Sequence, residues 1–170
     1  MSVNYIALAV PAFFVLIAVE LLVARRLGLD VYRFNDAITD LSCGIGQQVV
    51  GVFLKGALFA LYLWVYANYA VVPMSEASWV PWVIAFLGVD LLYYWWHRLS
   101  HEVAFMWAIH VVHHQSEDYN LAVALRQAWF SGATGMVFYL PLAVLGVPPL
   151  VFATMSAFST LYQFWIHTRT

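Results

Sequence analysis

Residues 79–101 read WVPWVIAFLGVDLLYYWWHRLSH and combine a long apolar segment with two histidines. Residues 79–96 are apolar except for Asp90, and His97 and His101 follow them four positions apart. A helix that crosses a membrane needs about 20 mostly apolar residues. Residues four apart lie on one face of a helix. The stretch therefore predicts a spanning helix with two histidines stacked at its polar end.

The composition of the whole chain is that of an integral membrane protein. Of its 170 residues, 64% are apolar and 9% are charged, whereas soluble domains have about 45–50% and about 25%. The net charge is −2, so we expect no nucleic-acid partner. Cys43 is the single cysteine, which excludes an internal disulfide and a CxxC metal or redox site. The length fits one domain over residues 1–170.

Three other regions are apolar enough to form spans. Residues 4–24 form one segment and residues 47–72 another, while residues 128–166 are long enough for two spans with a turn at Gly146 to Pro149. Together with residues 79–96, they predict an all-α, polytopic membrane protein with about four or five spans. Glu20 and Lys55 lie inside these segments, and we expect both side chains to reach the interface.

The positions of the arginines predict the orientation of the spans. Positively charged residues prefer the cytoplasmic loops of membrane proteins. The loops near residues 73–78 and 146–149 contain no lysine or arginine. If the spans alternate, six arginines fall on the opposite face: Arg25, Arg26, Arg33, Arg98, Arg126 and Arg169. This pattern predicts an integral membrane protein with its N-terminus outside and the histidine-rich segment on the cytoplasmic face.

Five of the six histidines lie between residues 97 and 114, which favours a metal site. The second cluster reads HVVHH at residues 110–114, and its spacings of three and four predict that His110, His113 and His114 share one side of a helix. Neutral imidazole binds zinc, copper, iron and nickel. Two such helical groups that face each other could hold metal at the membrane–water boundary.

Several polar residues are further candidates for the site. His167 lies at the same predicted depth as the other histidines, in YQFWIHTRT. Asp90 precedes His97 by two helical turns on the same face, so we expect it to be buried near His97, to orient a ligand histidine and to be a catalytic residue. Four weaker candidates are equally explained as solvated or structural groups: Glu117, Asp118, Asn120 and Gln163.

The motifs HRLSH at residues 97–101 and HVVHH at residues 110–114 resemble those of the fatty acid hydroxylase / sterol desaturase superfamily. The stretches HHQSEDYNLAVALRQAW and LYQFWIHT are similar to its alkylglycerol monooxygenase-like branch. The resemblance covers residues 20–170, with a hydroxylase-like region at about residues 85–170. It implies that six histidines bind two metal ions, usually iron: His97, His101, His110, His113, His114 and His167.

The same resemblance implies a membrane oxidoreductase that uses O2 to hydroxylate or desaturate a lipid. The chain contains no nucleotide fingerprint of the GxGxxG or GxxxxGK[ST] type, so we expect an external electron donor. Zinc could replace iron in a purified form. The family has a further HxxHH-type box beyond the position of His167. Because the chain stops at Thr170, we expect it to be a fragment of a single membrane oxygenase domain that lacks part of its ligand set.

Two other functions could explain the histidines and remain as alternatives. A membrane metalloprotease would carry HExxH, but Phe105 stands where the second histidine after His101-Glu102 would be. A membrane metal-binding or transport protein without oxygenase activity would be expected to place its ligands at mid-membrane on discontinuous helices. Here the histidines lie at the predicted ends of spans.

Overall fold

The computed structural model describes residues 5–169, and within this range the chain forms six α-helices and no strands. Asn4, where the first predicted span begins, and Thr170 lie outside the described residues. Two short 3-10 turns, Val111–His114 and Val123–Leu125, lie between the fourth and fifth helices. The helices are α1 (Tyr5–Leu27), α2 (Phe34–Tyr69), α3 (Val80–Glu102), α4 (Ala104–His110), α5 (Ser131–Leu145) and α6 (Pro149–Trp165).

Two of the described helices are long and apolar enough to cross a membrane: Leu8–Leu27 in α1 and Phe34–Tyr69, which is all of α2. The second begins well before the predicted segment at residues 47–72. The other predicted segments are also helical, but α3, α5 and α6 do not meet both criteria. The all-α architecture is therefore confirmed, while four or five spans and their orientation stay predictions.

The hydrophobic core lies where α3, α5 and α6 pack against the second half of α2. Tyr62 of α2 is fully buried, and its ring stacks on Phe152 of α6 with 4.2 Å between centroids. Its hydroxyl donates to the Val147 carbonyl at 3.0 Å, which fixes the predicted turn between α5 and α6. Gly146 ends α5 with a φ of 101°, a conformation that favours glycine. This core fixes α3 and α6 against each other at the ends that lie away from the histidines.

At the histidine end, a buried carboxylate connects four parts of the chain. Glu20 of α1 is 4% exposed. It accepts the Leu121 N–H at 2.7 Å, and the hydroxyls of Tyr32 and Thr168 also donate to it. The expectation that Glu20 reaches water is therefore wrong, because the chain itself satisfies this carboxylate. Lys55 is exposed and donates to Gln48 at 3.0 Å.

Candidate metal centre

Four histidines converge at the end of α3. His97 and His101 come from α3, which continues through both of them as predicted, His110 ends α4, and His114 ends the following 3-10 turn. Each offers a ring nitrogen, and these four atoms lie within 4.8 Å of one another. The Nε2 atoms of His97 and His101 are 3.0 Å apart, and those of His110 and His114 are 3.1 Å apart. Nitrogens bound to one ion at about 2.0–2.1 Å lie about 3 Å apart, so the group can hold a metal ion.

A second pair of histidines lies beside these four. The Nε2 atoms of His113 and His167 are 3.2 Å apart, although the residues are far apart in sequence. The ring centroid of His113 is 5.1 Å from that of His114 and 5.7 Å from that of His110. The structure thus brings all six predicted histidines together, as a group of four (His97, His101, His110, His114) and a pair (His113, His167).

His113 and His114 lie in a 3-10 turn, and their rings point in different directions. The predicted single helix over residues 110–114 is wrong in one respect, because α4 ends at His110 and the chain tightens into the 3-10 turn Val111–His114. A 3-10 turn has about 3.0 residues per turn instead of 3.6. The rings of His113 and His114 are inclined by 77°. His113 contacts His167, whereas His114 contacts His110.

Hydrogen bonds to the Nδ1 atoms leave the opposite ring nitrogens free for a metal. The Nδ1–H of His113 donates to the Arg126 carbonyl at 2.7 Å, and that of His167 donates to the Gln163 carbonyl at 2.6 Å. The Nδ1 of His97 lies 3.1 Å from the Tyr93 hydroxyl. An imidazole that donates from Nδ1 presents a lone pair on Nε2. In His113 and His167 these lone pairs belong to the two nitrogens that face each other.

The surroundings lower the pKa of several of the histidines. Burial, with a further contribution from neighbouring imidazoles, lowers the pKa of His110 to about 3 and that of His114 to about 4. Burial also lowers the pKa of His113. A metal binds only the deprotonated ring nitrogen. The lowered pKa values of His110, His113 and His114 therefore favour the neutral form that binds a metal.

Arg126 is a buried residue that sequence reasoning treated only as a marker of orientation. Its Nη1 donates to Asp40 at 2.9 Å, and its Nε donates to the Val112 carbonyl at 2.7 Å. Asp36 lies 3.7 Å from the same Nη1. Arg126 thus links the start of α2 to the residue before His113, while its own carbonyl orients His113. Asp36 and Asp40, four apart on an apolar helix, were the signal for a cationic partner.

Asp90, predicted to be catalytic, lies elsewhere than expected. Its side chain is exposed, and its Oδ1 accepts a hydrogen bond from the Ser159 hydroxyl of α6 at 2.9 Å. The expectation that Asp90 is buried near His97 is therefore wrong. In the described structure it is the Tyr93 hydroxyl, not Asp90, that lies beside the Nδ1 of His97. A catalytic role for Asp90 stays a prediction.

The weaker polar candidates have structural contacts. Glu117 and Asp118 form ion pairs with Arg33 at 2.6 and 3.0 Å. Asn120 is buried, donates to the Val31 carbonyl at 2.6 Å and accepts the Ala122 N–H at 2.9 Å. The backbone carbonyl of Gln163 accepts a hydrogen bond from the Nδ1–H of His167. Apart from Gln163, these residues hold the loop in place instead of contacting a histidine ring in the described structure.

Comparisons with known proteins identify the family of the chain. A model of the fatty acid hydroxylase family matches residues 82–170, which include all six histidines. The chain is 43% identical to alkylglycerol monooxygenase of Homo sapiens and 41% identical to that of Xenopus tropicalis, each over 98% of the chain. It is 33% identical to that of Caenorhabditis elegans over 82% of the chain. The chain covers 37% of the first two relatives and 27% of the third. No solved structure matches. The chain belongs to the fatty acid hydroxylase family, and within it is similar to the alkylglycerol monooxygenases.

Proposed function

We propose that this chain carries the metal centre of a membrane monooxygenase that uses two iron ions and O2 to hydroxylate a lipid. The observation that carries this proposal is the convergence of six imidazoles from four separate segments into a group of four and an adjacent pair. The names of the relatives support alkylglycerols as the substrate class and hydroxylation over desaturation. The apolar helices and the family support a position in the membrane.

The donor set suits two ions that differ in how completely this chain surrounds them. The group of four offers enough nitrogens to hold one ion and leave positions open for O2. The pair formed by His113 and His167 offers two nitrogens, so its ion needs further ligands. We expect these from a further HxxHH box in the intact protein, since the chain spans about a third of its relatives' length. Imidazole also binds zinc, which could replace iron during purification.

The chemistry requires both the metal and this chain's own residues. Bound iron would supply the activation of O2, which side chains cannot carry out. One oxygen atom enters a C–H bond of the lipid, and the other leaves as water with two protons and two electrons from an external donor. The histidines hold the ions, and the carbonyls of Arg126 and Gln163 keep His113 and His167 in the metal-binding tautomer.

The test is turnover of an alkylglycerol by the intact protein in lipid nanodiscs, with ferrous iron, a chemical reductant and isotope-labelled O2. We expect one labelled oxygen atom in the product, and no product from His101→Ala. Glu76→Gln is the control, because Glu76 is exposed in the loop before α3. Metal binding without any lipid oxidation would contradict the proposal and favour a metal-binding or transport protein.

A further inference from the structure

We propose that Asp90 and Ser159, with Ser156 and Gln163 beside them on α6, bind the hydroxyl groups at the polar end of the lipid substrate. This inference rests on the proposed function and assigns the part of the chain that recognises the substrate. It starts from a carboxylate that no histidine explains, because the hydrogen bond of Asp90 is made to Ser159.

A carboxylate in this apolar segment costs free energy unless it has a binding partner. Asp90 is the only charged residue in residues 79–96, and charged groups in apolar helices are rare and usually functional. Residues 80–96, 131–145 and 149–165 of the packed helices α3, α5 and α6 contain no lysine or arginine to pair with it. An ionised carboxylate offers about four lone-pair positions, and the Ser159 hydroxyl fills one of them. Because the side chain is exposed, further donors can reach it.

The facing helix presents a row of polar groups with spare hydrogen-bonding capacity. Ser156, Ser159, Gln163 and His167 are separated by three, four and four residues, so they lie on one face of α6 and its end. The Gln163 amide donates to the Ser159 oxygen at a long 3.4 Å. The Ser156 hydroxyl oxygen is buried and has no partner among the described residues. A buried hydroxyl without a partner costs free energy, and rotation of the Ser156 side chain towards a bound polar ligand would recover it.

This row leads to the metal centre from the apolar side. Asp90 precedes His97 by seven residues and Ser159 precedes His167 by eight, which is about 10–12 Å along each helix. Helical side chains all lean towards the N-terminus, so Asp90 and His97 keep this spacing along α3. A lipid whose hydroxyls bind Asp90 and Ser159 would therefore have the carbon atoms next to its polar end within reach of the histidines.

The charges select among lipid headgroups. Hydroxyl groups can donate to Asp90 and accept from Ser156 and the Gln163 amide, so a neutral polyol such as glycerol fits. A phosphate would be repelled by the carboxylate and would find no lysine or arginine in residues 80–96, 131–145 and 149–165 of these helices. Exposed apolar side chains adjoin Asp90 on α3, among them Leu87 and Leu91. They offer a surface for the hydrocarbon chain of the same lipid.

The test compares two substrates in the intact, iron-loaded protein: hexadecylglycerol and the same lipid with both hydroxyls methylated. We expect the wild type to prefer the free diol in kcat/KM by about tenfold to a hundredfold, as hydrogen bonds to a charged group would give. Asp90→Asn and Ser159→Ala should remove most of this preference by raising KM for the diol alone. Thr154→Val is the matched control on α6, because the Thr154 hydroxyl donates to its own helix at Leu150.

Three outcomes would overturn the inference. Equal losses on both substrates in Asp90→Asn, with normal iron content, would make Asp90 a structural link between α3 and α6. A preference for an analogue with an ammonium headgroup over the diol would contradict recognition of neutral hydroxyls. If the wild type oxidised neither lipid, the proposed function would fail, and equilibrium binding of radiolabelled hexadecylglycerol would then test the site. Equal binding by wild type and Asp90→Asn would overturn the site as well.

Discussion

Arg126 acts on His113 through both its side chain and its backbone. The guanidinium bridges Asp40 and the Val112 carbonyl, and the Arg126 carbonyl accepts the Nδ1–H of His113. A lysine ammonium keeps the charge but lacks the planar fork that reaches both partners. The geometry of Arg126 is therefore expected to matter as much as its charge.

We expect Arg126→Lys to lose iron from the pair His113 and His167 while the group of four keeps its ion. The unfolding free energy should fall by about 1–3 kcal/mol, because one buried acceptor loses its donor. Iron per chain, measured by mass spectrometry, and unfolding in detergent check this. Arg33→Lys is the control, because the Arg33 ion pairs are exposed and should contribute little. Unchanged iron content in Arg126→Lys would contradict the positioning role.

His110 makes the metal-free protein sensitive to acid. Its pKa is lowered to about 3 in the folded state, against about 6.5 when unfolded. The unfolded state therefore binds more protons below about pH 6.5, and stability is lost as the pH falls from there. At about pH 5 the loss from His110 should be about 2 kcal/mol. Thermal unfolding of the apo protein should show a shallower pH slope for His110→Gln, and an identical slope would contradict this.

The crossing of α2 by the loop over residues 120–129 depends on small residues. A Cβ at Gly44 would lie 2.5 Å from the Leu125 carbonyl oxygen, next to Arg126. We expect Gly44→Ala to push this loop away, lowering the unfolding free energy by about 1–3 kcal/mol and weakening metal binding by His113.

Gly56→Ala on the same helix is the matched control. Nothing lies within 4 Å of its added Cβ, and alanine in a helix interior is favoured by about 0.5–1 kcal/mol. Iron titration and unfolding in detergent of both variants check the prediction. Equal behaviour of the two variants would show that the contact between α2 and the loop does not position the histidines.

Local pattern predicted the elements that depend on neighbouring residues. The spacing of His97 and His101 predicted that α3 continues through both, and Gly146 and Pro149 predicted the turn between α5 and α6. The 3-10 turn that contains His113 and His114 was missed, because a spacing of three and four residues does not distinguish it from an α-helix. Arg126 was missed because its partner Asp40 lies 86 residues away.

The arrangement of the whole molecule was also predictable only where it depends on local sequence patterns. The convergence of the histidines was predictable, since two neighbouring clusters of histidines at helical spacings favour one metal site. The pairing of Asp90 with Ser159 was not, because it depends on which faces of α3 and α6 pack together. Residues 128–166 were predicted to hold two spans, but α5 has 15 residues and α6 has 17, fewer than the about 20 that a span needs.

We expect the loop with Glu117 to face the cytoplasm and the loop with Glu76 to face the opposite side. Single cysteines can test this in a Cys43→Ser background, because the chain has no other cysteine. In intact cells a membrane-impermeant maleimide should label Glu76→Cys and leave Glu117→Cys unlabelled until the membrane is opened. Both positions are exposed. Labelling of both, or of Glu117→Cys alone, would contradict the predicted orientation.

The most direct test is to measure the iron content and the Mössbauer spectrum of the intact protein. Together they show whether the six histidines hold two ions. We predict two iron ions per chain in a coupled pair. His101→Ala should lose the ion of the group of four, and His113→Ala the ion of its pair with His167, with lipid hydroxylation abolished in both. Two iron ions and normal turnover in His113→Ala, or a single mononuclear iron in the wild type, would contradict the account.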